Sequence, residues 1–335
     1  MTDAAAPFPL SGQRVLITGG LGFIGSNLAH RCLSLGAQVT VYDCLDPRSG
    51  GNMRNLHGIE SAVRIVLNDV RNFEGVCAVI RDHDLVFNCA AYTSHPNSMR
   101  DPLTDIDINC KGVINLLEAA RRFNPAIRLV QVATSTQIGR MRYSPVDENH
   151  PEFPLDIYSA NKSVSEKYAL IYGNAYGLPV AVVRLPNVFG PRSNIISPEF
   201  GAINYFVGLA LQGRPLTVYG EGAQMRNVLF VEDAVSALLA ATGPTAQGQV
   251  FFAAGDGQHS IGEIARAIVA AMGQGEVRHV AWPKERAAIE FGDVILSNAK
   301  IKAALGWSLL FSLEAGLAVT RAYFERHLEH YLRGL

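Results

Sequence analysis

The stretch RVLITGGLGFIGSN, residues 14–27, decides the fold. It opens with a short apolar run that contains β-branched residues, which predicts a buried strand, and it continues through a set of glycines into a helix-forming segment. Glycines at such a junction permit a tight turn, let the backbone approach a pyrophosphate and let the helix pack closely on the strand, while the helix N-terminus attracts phosphate charge. The stretch therefore predicts a dinucleotide site. Its predicted contacts are Gly19, Gly22, Phe23, Ile24 and Gly25.

The same order of strand and helix recurs through the first half of the chain. Further apolar runs rich in β-branched residues are separated by segments with helical spacing of their apolar positions. This alternation predicts an α/β fold, a Rossmann-type doubly wound parallel sheet with helices on both faces. The additional strands are predicted at 37–43, 63–69, 85–91, 127–134 and 179–190.

The pattern changes after Gly190, where loop-rich stretches predominate and the predicted elements become shorter. We interpret this change as a smaller C-terminal substrate-binding lobe. Residues 1–186 are expected to form the Rossmann domain, and residues 187–335 are expected to form mainly the lobe. Apolar segments near 228–254 are predicted to return to the main sheet.

The overall composition argues against several classes of protein. The chain has 335 residues, of which 48% are hydrophobic, and its 29 basic and 30 acidic residues give a net charge of −1. The sequence has no basic patch, so a nucleic-acid partner is not expected. The five cysteines lack CxxC spacing, which favours reduced, buried thiols, a cytoplasmic location and no metal site. The sequence shows no signal-peptide pattern and no run of about 20 apolar residues. We therefore expect no membrane association.

Two acidic residues end predicted strands beside the glycine turn. Asp43 lies 18 positions after Gly25, where a carboxylate accepts hydrogen bonds from ribose hydroxyls and repels a 2′-phosphate. This position favours NAD over NADP as the cofactor, and the nearby Arg48 leaves NADP open. Asp69 ends the third strand within NDVRN. It is interpreted as an adenine contact or, alternatively, as a solvated loop acid.

The segment DIYSANKSVSEKY, residues 156–168, places Tyr158 and Lys162 four positions apart. In a helix this spacing puts both side chains on one face. A free phenol has a pKa near ~10 and is a poor base at neutral pH, but a neighbouring ammonium and a cationic nicotinamide both favour the phenolate. The segment is therefore either a catalytic pair or an ordinary helix with a half-exposed phenol and a solvated amine.

Taken together, segments spread over nearly the whole chain are similar to the extended short-chain dehydrogenase/reductase family. The resemblance is to its nucleotide-sugar epimerase and dehydratase branch, in the UDP-glucose 4-epimerase-like subgroup. It implies NAD as the cofactor, with further cofactor contacts from Val70, Ala90, Ala91 and Asn109. The segments are TGGLGFIG, NDVRN, NCAAYTSHPNSMRDP, INCKGVINLLEAAR, YSANK, RLPNVFGPR, VYGEGAQMRNVLFVEDAVSALL and ALGW.

The resemblance also implies the catalytic groups. Tyr158 would be the general acid/base, taking a proton from a sugar hydroxyl while the carbon-bound hydrogen leaves as hydride to NAD. Lys162 would lie beside it and hold the nicotinamide ribose. Thr134 matches the family's catalytic hydroxyl residue and Ser135 is its rival, although either hydroxyl could instead cap the strand end.

The two positions after Thr134 favour one reaction over others in the family. The 4,6-dehydratases carry an Asp-Glu pair there and the decarboxylases carry a Glu, whereas this chain has Ser135 and Thr136. Without those carboxylates, the resemblance implies epimerisation at C4 through a transient 4-keto intermediate. The alternatives are a 2-epimerase, a reductase, a dehydratase or decarboxylase, and a non-catalytic NAD-binding scaffold.

At the substrate end, Arg226 matches an arginine that clamps a diphosphate, for which a bidentate guanidinium is suited, and a surface ion pair is the alternative. Glu290 stands where many relatives carry a second phosphate-binding arginine, so Lys284 and Arg286 are candidate replacements. His95 either faces the sugar or is an ordinary loop histidine. For a UDP-hexose or UDP-hexuronate, the predicted substrate contacts are Thr93, Ser135, Thr136, Asn187, Arg192 and Arg226.

The helices expected around 104–122 and 158–174 resemble the pair through which relatives form a four-helix interface. The resemblance therefore implies a homodimer.

Overall fold

The computed structural model describes residues 10–46, 48–284, 287 and 290–332. Its centre is a seven-stranded sheet in which all neighbouring strands are parallel. The strand order is β11-β6-β5-β4-β1-β2-β3. These strands are β1 (Arg14–Thr18), β2 (Gln38–Asp43), β3 (Val63–Leu67), β4 (Leu85–Asn88), β5 (Arg128–Thr134), β6 (Val180–Leu185) and β11 (Val250–Phe252).

Helices cover both faces of this sheet, which confirms the predicted Rossmann-type fold. Alternate residues of a strand point to opposite faces, so Val15 packs in one apolar cluster and Leu16 in another. The first cluster contains residues of α1 and α8, and the second contains residues of α2, α5 and α6. These helices are α1 (Phe23–Ser34), α2 (Phe73–Ile80), α5 (Gly112–Phe123), α6 (Ile157–Tyr176) and α8 (Val231–Ala240).

Two short helices and an irregular turn lead into α5. They are α3 (His95–Arg100), α4 (Pro102–Ile106) and the π-helical segment Asp107–Lys111. A π-helical turn of this kind inserts an extra residue into the helix and commonly occurs beside functional sites. Single-turn 3₁₀ helices lie at Met53–Leu56, Ser135–Ile138, Pro198–Phe200 and Pro244–Ala246.

Residues of α7, α9 and α11 pack together in a separate apolar cluster. Three two-stranded sheets pair β10 with β7, β12 with β9, and β13 with β8. The strands are β7 (Asn187–Phe189), β8 (Pro215–Tyr219), β9 (Met225–Arg226), β10 (Val228–Phe230), β12 (His259–Ser260) and β13 (Glu276–Val280). The helices are α7 (Ala202–Leu211), α9 (Ile261–Met272), α10 (Ala299–Leu305) and α11 (Leu313–Leu332).

Only part of the segment 228–254 returns to the main sheet. β11 joins its edge beside β6, as predicted, but β10 pairs with β7 outside it. The prediction is wrong for β10, whose backbone hydrogen bonds are made with β7, the strand that follows β6 after a single residue, Pro186. A domain boundary at residue 186 stays a prediction.

Three further observations on the described residues concern membrane spans, metal sites and cysteines. None of their helices combines the length and apolarity needed to cross a bilayer. No cluster of three or more His, Cys, Asp or Glu within the described ranges could hold a metal ion. All five cysteines are unpaired, but only Cys32 and Cys110 are buried and Cys44 is exposed, so the prediction of buried thiols is wrong for Cys44.

Candidate active site

One large cavity of about 890 Å³ lies at the carboxyl ends of the main strands. Residues that end β1, β2, β4, β5 and β6 form its floor, and residues of α7, β8 and the segment after β13 form its opposite wall. Open parallel α/β sheets bind ligands at this edge. The fold therefore brings the predicted cofactor and substrate residues to a shared space.

The glycine turn at one end of the cavity leaves no room for side chains. Gly19 has φ +65°, and a Cβ there would lie 2.7 Å from the backbone nitrogen of Ala90. A Cβ on Gly25 would lie 2.3 Å from the carbonyl oxygen of Gly19. Helix α1 then begins at Phe23 without a side-chain cap, so its first N–H groups are left for a ligand. This cradle fits a pyrophosphate.

Asp43 stands beside the turn with its carboxylate fixed by the backbone. Its Oδ2 accepts a hydrogen bond from Leu21 N at 3.0 Å and its Oδ1 accepts one from Leu45 N at 2.9 Å. Burial raises the pKa of this carboxyl, and the two N–H donors oppose the rise. Because each oxygen keeps a further lone pair, the carboxylate can accept a ribose diol from the cavity that it lines.

Replacement of Asp43 by Asn is expected to weaken NAD binding by about tenfold or more. The substitution replaces one carboxylate oxygen, which accepts a hydrogen bond from the ribose, by an NH₂ group and removes the charge. A hydrogen bond to a charged group contributes about 1.5–3 kcal/mol. Discrimination against NADP should fall in parallel, since the repelling charge is lost. Calorimetric titration with each dinucleotide measures both effects. The control is Asp46→Asn, whose carboxylate is engaged by Arg48. Equal losses in the two variants would contradict the assignment.

The other predicted cofactor residues divide into two groups. Asp69, Val70, Ala90 and Ala91 line the cavity, whereas Asn109 does not. Asn109 lies in the π-helical segment, where its side chain bonds to the backbone N–H and carbonyl of Tyr92 at 3.2 and 2.9 Å. Asn109 therefore supports the cavity wall from behind. The structure does not place its side chain in the cavity, where the predicted contact with the cofactor would require it.

Tyr158 and Lys162 are buried at the centre of the cavity floor, which excludes the half-exposed, solvated alternative. Asp156 caps α6, accepting a hydrogen bond from Ser159 N at 2.8 Å, and so places Tyr158 in the first turn. Tyr158 is 8% exposed and Lys162 is 4% exposed. The Lys162 Nζ donates to the carbonyl oxygen of Val132 at 2.6 Å.

Burial dominates the electrostatics of this pair. It lowers the pKa of Lys162 to about 8 and raises the pKa of Tyr158 above its usual range, while a hydrogen bond with Thr134 opposes the rise at Tyr158. Both shifts reflect the cost of keeping a charge away from water. Thr134 and Ser135 both line the cavity, so Thr134 as the third member stays a prediction.

At the far end of the cavity, Arg226 is a buried member of an ion pair. Its Nη1 donates to the carbonyl oxygens of Gly292 and Met225 at 2.5 and 2.9 Å, and its Nη2 donates to Glu290 Oε1 at 2.9 Å. The guanidinium is therefore fixed in orientation at the cavity wall, and the alternative of a surface ion pair does not fit its 7% exposure. Lys284 is exposed, and Arg286 lies outside the described residues.

Thr93, Thr136 and Asn187 also line the cavity, but Arg192 does not. Arg192 Nη1 donates to Asn27 Oδ1 at 2.8 Å, and the guanidinium lies over the ring of Tyr323 at 5.4 Å. It lines a separate small cavity. The structure thus turns Arg192 away from the predicted substrate end, because residues 190–193 curve back towards α1.

Several cavity residues were not predicted from the sequence. Trp282, which follows β13, lies against Tyr219 at the end of β8 with 5.2 Å between ring centroids. The two strands run parallel, so their carboxyl ends meet although 63 positions separate the rings. No local pattern signals such a pairing. The other additions are Asp156, Glu199, Phe200 and Arg214.

A glycine turn beside a ribose-accepting acid, joined to a buried tyrosine and lysine at one sheet edge, defines a nucleotide-binding oxidoreductase-type site. A family profile described as "NAD dependent epimerase/dehydratase family" matches residues 15–253. The chain belongs to this family. The predicted recognition and the predicted cofactor, NAD, are thereby confirmed.

Individual relatives are similar along most of their length. The chain is 32% identical to the UDP-glucose 4-epimerase of Mycolicibacterium smegmatis over 331 residues, covering 93% of this chain and 98% of that protein. It is 32% identical to UDP-glucuronic acid decarboxylase 1 of Xenopus tropicalis, covering 95% and 73%. Among solved structures, UDP-glucose 4-epimerase of Thermus thermophilus in complex with NAD superimposes with a TM-score of 0.82 at 30% identity, covering 93% and 99%. These names denote different reactions.

Proposed function

We propose that the protein epimerises a nucleotide sugar at C4, a UDP-hexose or a UDP-hexuronate, through a transient 4-keto intermediate. The observation that carries the proposal is the buried group of Thr134, Tyr158 and Lys162, which lies between the glycine turn and the Arg226 end of a single cavity. A dinucleotide and a nucleotide sugar placed from opposite ends would meet at these side chains. NAD, when bound, supplies the two-electron oxidant that is regenerated in each turnover.

The side chains of this group divide the work on the sugar. Tyr158 takes the proton from the 4-hydroxyl and returns it when the keto group is reduced. The ammonium of Lys162 favours the phenolate form of the tyrosine. Thr134 lines the same cavity and would hydrogen-bond the same sugar hydroxyl, which would orient it towards Tyr158.

The carboxylates of the cavity argue for epimerisation over loss of water or carbon dioxide. Neither Ser135 nor Thr136 can protonate a leaving hydroxyl as a carboxylic acid does. The nearby acids are engaged: Asp156 with His95, Glu199 with Ser94, and Glu290 with Arg226. An oxidation followed by reduction from the other face needs no additional carboxylate.

The test is to offer UDP-glucose, UDP-galactose, the corresponding hexuronates and their dTDP counterparts to the purified protein and to follow the products by NMR. A changed configuration at C4 without added cofactor is the expected result. Loss of water or carbon dioxide, inversion at C2, or stoichiometric consumption of NADH would each replace the proposal with the corresponding reaction.

We further propose that the protein is a homodimer. An exposed apolar face covers the neighbouring helices α3, α4 and α6, which pack side by side. Leu103 is 74% exposed and Ile171 is 54% exposed, and large apolar side chains exposed together on packed helices suit an interaction site. The other members of the apolar face are Met99, Ile106 and Val164.

We also propose a cytoplasmic location, because the cysteine spacing is not that of a disulfide framework.

Replacement of Leu103 by Glu is expected to convert the dimer into a monomer at micromolar concentration, because a charge would be buried at the centre of the contact. Light scattering measures the mass directly. Leu310→Glu is the control, since Leu310 is 56% exposed but lies outside the apolar face. A monomeric wild-type protein would contradict the proposal.

A further inference from the structure

Asp105 is a buried carboxylate of α4 that has no part in the chemistry described above. It is 0% exposed. Its Oδ1 accepts hydrogen bonds from Asn161 Nδ2 at 2.8 Å and from Asn109 Nδ2 at 2.9 Å. Its Oδ2 is also buried, and no hydrogen-bond partner for it is found among the residues that the structure describes. A carboxylate held away from water in this way costs free energy unless an opposite charge compensates for it.

The hydrogen bonds of Asp105 do not explain why an acid occupies this position. Asn161 directly precedes Lys162 on α6, and Asn109 in turn bonds to the backbone of Tyr92 after β4. Asp105 therefore connects the helix of the lysine to the cavity wall. Both of its donors are neutral amides, however, and a neutral asparagine at position 105 would accept the same two hydrogen bonds through its carbonyl oxygen.

Lys162 is the cation that compensates for the charge of Asp105. Burial raises the pKa of Asp105, whereas the hydrogen bonds from Asn161 and Asn109 and the positive charge of Lys162 oppose the rise. Burial also lowers the pKa of Lys162 to about 8, and the negative charge of Asp105 opposes that fall. Each of the two groups therefore favours the charged form of the other.

The other titratable groups that face Lys162 do not supply this negative charge. They are Cys89 after β4, Cys110 in the π-helical segment and Glu166 on α6. Burial raises the pKa of Cys89 to about 12 and that of Cys110 to about 11, so both thiols are neutral at physiological pH. Glu166 accepts hydrogen bonds from Arg184 Nε at 2.8 Å and Nη2 at 2.6 Å, which neutralise it. Among the described groups, Asp105 is thus the carboxylate that faces Lys162 without an ion pair of its own.

We propose that Asp105 is a positioning residue, whose negative charge keeps Lys162 in its ammonium form beside Tyr158 and so sets the pH range of the proposed epimerisation. The ammonium is the form that favours the phenolate of Tyr158. A charge in the protein interior is screened less than in water, so Asp105 need not bond to Lys162 to act on it. This inference rests on the proposed acid/base role of Tyr158.

Replacement of Asp105 by Asn tests the charge separately from the hydrogen bonds, because the amide oxygen still accepts from Asn161 and Asn109. Loss of a negative charge lowers the pKa of every group that it faces. These groups include Tyr158, whose pKa is raised mainly by burial and further by Asp105. We therefore expect both limbs of the profile of kcat against pH to move to lower pH by about one unit. On the alkaline limb this shift lowers kcat about tenfold.

Asp107→Asn is the matched control. Asp107 lies two residues further along the chain, in the π-helical segment, and it is not among the groups that act on Tyr158 or Lys162. Its loss removes the same formal charge from the protein and should leave both limbs in place. A purely structural role of Asp105 would lower kcat at every pH without moving either limb.

A readout independent of turnover is the titration of Lys162 itself, followed by NMR of isotope-labelled lysine and assigned with Lys162→Met. The lysine should lose its proton at lower pH in Asp105→Asn than in the wild type, and at the wild-type pH in Asp107→Asn. Should Asp105→Asn fail to fold, Asp105→Ser also removes the charge, keeps an oxygen acceptor and should shift the titration in the same direction.

The outcomes separate this inference from the proposed function. If a folded neutral variant at position 105 leaves the titration of Lys162 and both limbs unchanged while Tyr158→Phe is inactive, the role of Asp105 is wrong and the proposed function stands. If Tyr158→Phe is itself fully active, the proposed function fails, and the role of Asp105 in the reaction fails with it.

Discussion

Replacement of Tyr158 by Phe is expected to lower kcat by about 10³-fold, within the range of roughly 10²–10⁴ that positioned acid/base groups contribute. The substitution removes only the hydroxyl. The ring keeps its buried place and its edge-on contact with His95, whose centroid lies 4.9 Å away, and Thr134 keeps its neighbour Thr136. NAD should remain bound, because the glycine turn and Asp43 are untouched. Turnover of the sugar found in the NMR panel, together with the NAD content of the purified protein, measures both expectations.

Tyr172→Phe is the control for this experiment. Tyr172 lies on the same helix, and its hydroxyl donates to Glu118 at 2.7 Å, away from the cavity. Its loss should leave kcat unchanged. A Tyr158→Phe protein that binds NAD and turns over at the wild-type rate would favour a different acid/base residue. A wild-type protein inactive on every sugar, with Tyr158→Phe unchanged in its other properties, would favour the non-catalytic scaffold.

At the glycine-turn end of the cavity, the fold could be predicted from the sequence for a local reason. The strand of residues 14–18, the glycine turn and the start of α1 are contiguous. One short segment therefore contains both the continuous apolar run of a buried strand and the glycines that the close backbone contacts require. A side chain on Gly25 would meet backbone atoms of the same turn, and a side chain on Gly19 would meet the backbone directly after β4. The spacing of Tyr158 and Lys162 is likewise a property of one helix.

The placements that could not be predicted have the opposite cause, because they depend on contacts between distant segments. Asn109 lies in the matched motif, but the π-helical turn points its amide at the backbone of Tyr92. Arg192 has φ +69°, and its guanidinium reaches Asn27, 165 positions away. The meeting of Trp282 with Tyr219 depends on the pairing of two late strands. No periodicity in the sequence encodes these approaches.

Replacement of Arg226 by Met is expected to weaken the binding of UDP by about 100-fold, because two charged hydrogen bonds of about 1.5 kcal/mol each would be lost. The guanidinium is presented to the cavity already oriented by the carbonyls of Gly292 and Met225. Lysine would keep the charge but not the planar pair of donors, so Arg226→Lys should fall between the wild type and Arg226→Met. Calorimetric titration with UDP alone isolates this end of the cavity.

Glu290 makes the experiment decisive, since its carboxylate occupies one donor of the same guanidinium and would repel a diphosphate. If Arg226 is the clamp, Glu290→Gln frees a donor, removes a negative charge and should tighten UDP binding several-fold. If Arg226 only stabilises the wall, Glu290→Gln leaves a buried charge without its partner, which costs stability, and should leave UDP binding unchanged or weaker. Thermal unfolding of both variants separates these outcomes. The double variant, Arg226→Met with Glu290→Gln, gives the coupling free energy of the two side chains, which differs from zero only if they act on the same ligand or on each other. The sign of this coupling for UDP binding shows whether Glu290 competes with the diphosphate for Arg226 or holds Arg226 in place for it.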